Sequence, residues 1–162
     1  MFDFFNTYKD EQKYFKLSMI DSHEFTEKLP KLIGQQVADM FTRLIGAGHT
    51  DNTLVHFYSD HGDHMNYLIK DTESFANERF NHFLYVMIPN HTRDSIYETN
   101  LRITMKLVSH KDIFASDMVY LGYDGHVQTN GVSLIEEYVL ESRSCAHVGL
   151  MRSSECKCMD QK

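Results

Sequence analysis

Hydrophobic and polar positions change their period several times along this chain, and each change marks an expected element. Tyr14 to Ile20 is a short β-prone run ending at Asp21, Ser22 and His23, which predicts a strand delivering its C-terminal end to a loop. From Phe25 to Ile45 the apolar residues Leu29, Ile33, Val37, Met40, Phe41 and Leu44 recur at three- and four-residue steps. A helix is expected there, with Thr26 as N-cap, Pro30 tolerated near the first turn, and Gly46 to Gly48 closing it. Asp51 and Asn52 turn the chain into Thr53 to Tyr58, a β-branched and aromatic run that reads as a buried strand, followed at once by Ser59-Asp60-His61-Gly62-Asp63-His64. Leu68 to Asn77 has no clear period and reads as a loop. Phe83 to Ile88 is expected as a third strand, ended by Pro89 and Asn90. Thr92 to Val108 predicts a helix with Ile96, Leu101, Met105 and Val108 inward, and Ile113 to Leu121 another.

Strand, helix, strand predicts a parallel βαβ unit with a right-handed crossover. The expected fold class is therefore α/β, a mostly parallel sheet flanked by helices. It forms one domain with a core over about 12–122 and an irregular, cysteine-containing tail over about 123–162, relieved by a short strand at Gly131 to Ile135. Ligands of open α/β sheets gather at the carboxyl ends of the strands, which puts the 21–23 and 59–64 loops at one edge.

Composition narrows the class. The chain has 162 residues, 42% hydrophobic and 24% charged, with two prolines, the balance of one folding domain rather than of a disordered segment. A net charge of −7 argues against a nucleic-acid footprint. No apolar run is long enough to span a bilayer. The start, Met1 to Tyr14, has acidic residues and lacks the basic and apolar regions of a secretory signal peptide. Against this, Cys145, Cys156 and Cys158 cluster at the C-terminal end and read as the disulfide staple of an extracellular tail, reduced cytosolic thiols being the alternative. Asn90-His91-Thr92 is a glycosylation sequon that agrees with the extracellular reading. A start that lacks the true N-terminus reconciles the two, so the expected location is extracellular or in the secretory pathway.

The candidate chemistry lies in Asp60-His61-Gly62. A carboxylate and an imidazole at adjacent positions after a buried strand can turn toward one divalent ion, because a tight glycine-containing turn lets successive side chains point the same way. Oxygen and nitrogen donors of this mix suit zinc or manganese, with calcium as a further candidate. The bland alternative is a capping Asp and a bystander His in an ordinary turn. Asp63 and His64 could extend the metal site, but one turn past the strand they are expected to face solvent, and His56 to be packed inside its strand; His49, His82, His91, His110, His126 and His147 have no spacing that recommends them.

The segment Gly48 to Gly62 resembles the signature G-x-x-[DE]-N-T-x-[VI]-x-[FV]-x-S-D-H-G of sulfatases, phosphoglycerol transferases and related members of the alkaline phosphatase superfamily. Around it, the chain is most similar to a mainly animal branch of that superfamily, domain of unknown function 229. It resembles that branch at Asn77-Glu78-Arg79, at Leu107 to Ser116 (L-T-S-x-x-D-I-H-A-T in the branch), at Gly131 to Leu134 (G-x-S-L), at Arg143-Ser144-Cys145 (R-x-C), and at Cys156-Lys157-Cys158 (C-x-C). The resemblance implies a partial alkaline-phosphatase-like fold, the C-terminal portion of one such domain. It implies Asp60 and His61 as metal ligands, His23 as a catalytic residue facing the substrate, and Glu78 and Arg79 as substrate contacts, with an ion pair among neighbours as the alternative for these two. In that superfamily a Thr, Ser or modified Cys nucleophile attacks phosphorus or sulfur beside the metal. The nucleophile and the first metal-binding Asp precede the region matched by this chain, and Phe114 stands where the branch has a histidine.

Two functions follow as expectations. The first is a portion of a metal-dependent hydrolase or transferase of phosphate or sulfate esters, small-molecule or glycan, inactive alone. The second is a non-catalytic extracellular binding module, a pseudoenzyme that keeps the fold. An incomplete sheet would also expose a strand edge open to self-association.

Overall fold

The computed structural model of the chain describes residues 1–21, 23, 28–62, 71–80, 82–92, 95–104, 107–123, 130–135 and 143–149. The expected N-cap Thr26, the inward Met105, and Asp63, His64, His126, Cys156 and Cys158 lie outside them. The elements run α1 (Phe2–Thr7), α2 (Leu29–Gly46), β1 (Val55–Tyr58), α3 (Glu73–Phe80), β2 (Leu84–Met87), a 3-10 turn (Asn90–Thr92), α4 (Ile96–Thr104) and α5 (His110–Tyr120).

Among the described residues the sheet is one antiparallel ladder, pairing Val55 with Met87, His56 with Val86, Phe57 with Tyr85 and Tyr58 with Leu84. Of the expected parallel βαβ unit, the helix and the second strand are present, and the first strand is in no ladder among the described residues. Residues 14–20 form no regular element and join no ladder, and Tyr14, Leu17 and Ile20 are more than half exposed, Ile20 at 80%. Without a neighbouring strand, β-propensity has no hydrogen bonds to realise. The partner of β1 is instead the next strand along the chain, reached through α3.

Because the side-chain period of a strand is two, the ladder has two dissimilar faces. Phe57 and Tyr85 share one, where Phe57 meets Phe41 of α2 edge-on at 5.3 Å and Phe83 at 5.0 Å. His56 and Val86 share the other, under α4 and α5. There His56 bridges two helices, its Nδ1 at 2.9 Å from Asp117 Oδ1 and its Nε2 at 2.8 Å from Tyr97 Oη. A carboxylate can only accept, so Nδ1 donates to Asp117, while Nε2 and the Tyr97 hydroxyl share the second hydrogen bond. Burial, aided by the charge of Asp117, holds the Tyr97 phenol well above its ordinary pKa, so it stays protonated.

Tyr97 and Leu134 are the most deeply buried hydrophobic pair, and Leu54, Val86, Ile88, Val108, Val132 and Ile135 pack on them. Residues 131–135, expected as a strand, dock on α5 without a ladder, through side-chain hydrogen bonds. Val132 N–H donates to Asp112 Oδ1 (2.7 Å) and Leu134 N–H to Ser116 Oγ (2.9 Å), while the Leu134 carbonyl accepts from Asn100 Nδ2 of α4 (3.0 Å). Gly131 makes this possible. A Cβ there would collide with the backbone carbonyl of Lys111, so only glycine lets the segment approach α5 this closely.

Asp112 is the node of this packing. Fully buried, it accepts from Val132, from the Ser109 N–H (2.7 Å) and hydroxyl (2.8 Å), and from both ends of the Arg143 guanidinium (2.6 and 2.8 Å). Burial alone would push its carboxyl pKa up, but the hydrogen bonds from Arg143, Val132 and Ser109 outweigh it and hold the group below its ordinary value. This geometry also explains why α5 begins three residues before the expected Ile113. Asp112, a polar residue by sequence, lies on the inward face with Ile113, Ala115 and Ser116.

Two further helices depart from expectation. The last residues of the stretch expected as a loop, 73–77, open α3 instead, started by Thr72 Oγ1 accepting the Phe75 N–H (3.2 Å), with Phe75 buried. Its few apolar positions give almost no period to read. The unforeseen α1 gathers Phe4, Phe5 and Phe15 into an aromatic cluster with His49, and Phe2 takes the Arg43 guanidinium on its ring at 4.0 Å.

Candidate functional site

Beyond Tyr58 the chain leaves β1 into residues 59–62, and each end of this loop is anchored by the backbone. Ser59 N–H donates to the Phe83 carbonyl (3.2 Å), and Ser59 Oγ accepts the Phe83 N–H (3.2 Å), which carries the pairing one residue past the ladder. At the other end Gly62 N–H donates to the Arg79 carbonyl in the last turn of α3 (3.1 Å). From a third direction, His110 Nε2 at the start of α5 meets the Ser59 carbonyl at 2.9 Å.

Between these anchors Asp60 and His61 reach into solvent, their side chains 84% and 42% exposed. Asp60 Oδ1 accepts the His61 N–H (3.0 Å), the ordinary chemistry of an Asp in a turn. His61 Nδ1 lies 2.7 Å from the Gly62 carbonyl. Since a carbonyl only accepts, Nδ1 carries a proton. A backbone carbonyl fixing one ring nitrogen is the arrangement that orients metal-ligating imidazoles. Nε2 in turn is 3.6 Å from Asp60 Oδ2. Two donors each about 2.0–2.2 Å from one ion can stand up to about 4 Å apart, so this spacing fits a shared divalent cation. The fit extends to two donors. Among the described residues no three or more His, Cys, Asp or Glu side chains are grouped to hold an ion.

Two histidines to which the sequence assigned no role border this loop. His82 and His110 stack at 5.3 Å between ring centroids, and His110 also lies 5.2 Å from the Tyr58 ring. Burial, then the neighbouring imidazoles of His110 and His61, lower the His82 pKa, with Asp60 opposing them. The pair lines a small cavity of about 50 Å³ with Ser59, Ser109 and the apolar side chains of Leu84 and Val108. Only the β1–β2 pairing and the docking of α5 bring these imidazoles to Asp60 and His61, and no sequence spacing encodes that meeting.

The other expected site residues are dispersed. His23 is exposed, its N–H donating to the Ile20 carbonyl (2.9 Å), and the described contacts do not join it to the 59–62 loop. Arg79 meets the loop through its carbonyl, while its guanidinium lies 5.4 Å from the Phe80 ring centre. The Glu78 side chain is outside the described residues. Asn90 is exposed in the 3-10 turn, and the hydroxyl of Thr92 donates to the Pro89 carbonyl at 2.8 Å. Cys145 is buried and disulfide-bonded. Phe114 is half exposed on α5.

Compared with known protein-family models, with curated proteins and with solved structures, the chain matches none.

Proposed function

We propose that this chain is the C-terminal portion of a metal-dependent domain of the alkaline phosphatase and sulfatase kind, acting on phosphate or sulfate esters, with Asp60 and His61 as half of its metal shell. The observation that carries the reading is the 3.6 Å spacing of His61 Nε2 and Asp60 Oδ2 on a loop whose backbone is anchored on three sides. Asp60 would give an anionic oxygen and His61 a neutral nitrogen whose tautomer the Gly62 carbonyl sets. A zinc or manganese ion held there would supply Lewis acidity and charge neutralisation toward the ester. The remaining donors and the nucleophile would come from chain preceding this portion. The exposed Tyr14, Leu17 and Ile20 agree with a domain whose other part would cover them.

The test is thermal unfolding of the chain with and without zinc or manganese, for wild type and for Asp60→Ala with His61→Ala. A metal-dependent rise in Tm confined to wild type is expected, since a ligand that binds only the folded state stabilises it. An equal rise in both proteins, or none in wild type, would sink the reading. No ester turnover is expected from the isolated chain.

A second reading, a non-catalytic extracellular binding module, draws on Phe114. It places an exposed phenyl ring on α5 where the related pattern has an imidazole, which suits an apolar contact better than proton transfer. Recovery of ester hydrolysis once the preceding chain is supplied would dismiss it.

A further inference from the structure

We infer that His110 is a positioning residue for the 59–62 loop, setting where Asp60 and His61 present their donor atoms; for its link to a metal this rests on the function proposed above. The residue stands on α5, a helix fixed from within. Its first turn is held from within by Asp112, which binds Ser109, Val132 and Arg143 at once, and its next turn by Ser116, whose hydroxyl donates to the Asp112 carbonyl (2.7 Å) and accepts from Leu134. His110 therefore projects from one of the most constrained turns of the molecule. Its Nε2 lies 2.9 Å from the carbonyl of Ser59, the residue immediately before Asp60. Because that carbonyl can only accept, Nε2 is the protonated nitrogen and donates.

The other anchors of the loop come from Phe83 and Arg79, which belong to the β2 and α3 side of the fold. His110 alone among these contacts refers the loop to the buried node on α5. Its ring is steadied by Tyr58 on one side and His82 on the other, at 5.2 and 5.3 Å. A donor held this way fixes the Ser59–Asp60 peptide plane, and with it the direction in which the Asp60 side chain leaves the backbone. Such outer contacts change metal affinity by about ten- to a hundredfold in sites built this way.

The variants are His110→Phe, which keeps a ring against Tyr58 and His82 but cannot donate, and His110→Gln, which restores an N–H near the position of Nε2. Two readouts are taken on each: amide hydrogen exchange at Ser59 and Gly62 in the metal-free chain, and the zinc dissociation constant by calorimetry. Faster exchange at these two amides in His110→Phe, recovered in His110→Gln at an unchanged Tm, is expected, together with zinc affinity weakened by about tenfold in the Phe variant alone. Exchange at Ser59 and Gly62 identical in His110→Phe and wild type would overturn the inference, as would His110→Gln behaving like His110→Phe. If wild type binds no zinc while the exchange pattern holds, the metal reading fails and the positioning role of His110 stands.

Discussion

Of the places where a carboxylate meets a nitrogen base among the described residues, Asp112 with Arg143 and Asp60 with His61 are opposites. Asp112 and Arg143 are almost wholly removed from water, at 0% and 6% exposure, and five donor contacts converge on the two oxygens of Asp112. Asp60 and His61 stand in solvent, and the one side-chain contact between them, at 3.6 Å, is too long for a hydrogen bond. Saturation marks the first pair as structure: with every lone pair engaged, the group has nothing left to offer a ligand. In the second the effort goes into the backbone, which is tied to Phe83, Arg79 and His110 while the donor atoms face outward.

Substitutions can break this contrast, starting with the largest effect. Asp112→Ala would leave the Arg143 guanidinium buried without its carboxylate, and the N–H groups of Val132 and Ser109 without their acceptor. It is expected to cost about 3–5 kcal/mol in urea unfolding, the usual penalty for removing one partner of a buried pair. The same node gives a pH dependence. The folded-state pKa of Asp112 lies below its ordinary 3.8, so its contribution is complete above that value and is lost as pH falls through it. The urea midpoint should hold between neutral pH and about pH 5, then fall steeply below about pH 4. A flat profile across that range would contradict the assignment.

Gly131→Ala tests the docking of the tail segment on α5. The added methyl meets backbone, which cannot rotate away, so a loss of about 1–3 kcal/mol is expected in the same assay. Tyr97→Phe, which removes the hydroxyl bonded to His56, should cost about 1–2 kcal/mol. At the bottom of the series, Asp60→Ala with His61→Ala should change metal-free stability by less than about 0.5 kcal/mol, since both side chains are exposed. A large loss from that pair would mean that the loop serves the fold, and the contrast drawn above would collapse.

Where the elements lie was largely legible because it depends on local period. The long repeat of apolar positions in α2 and the β-branched run of β1 were readable within a few residues, and α2 closes through Gly48 at φ 71, as a glycine past a helix end suggests. Strand partnership was not legible. Residues 14–20 and Phe83 to Ile88 both read as β-prone runs, yet among the described residues only the second is paired with a strand. Local strength does not specify a partner, because the ladder's hydrogen bonds belong to both strands. The tail segment at 131–135 failed for a related reason: its amides are satisfied by the side chains of Asp112 and Ser116, a solution that no periodicity announces.

The same division runs through the candidate site. Sequence alone determined that a carboxylate and an imidazole leave a strand end side by side on a tight turn, because adjacency and a glycine are local properties. Tertiary structure alone decided that Asp112, to all appearance a surface residue, is the most fully bonded side chain described in the molecule. It also brought His82 and His110 to the loop of Asp60 and His61 from positions about 20 and 50 residues away in sequence. The reason is physical: burial and hydrogen-bond satisfaction are settled by which elements pack together, and that choice minimises a free energy of the whole chain rather than of any one segment.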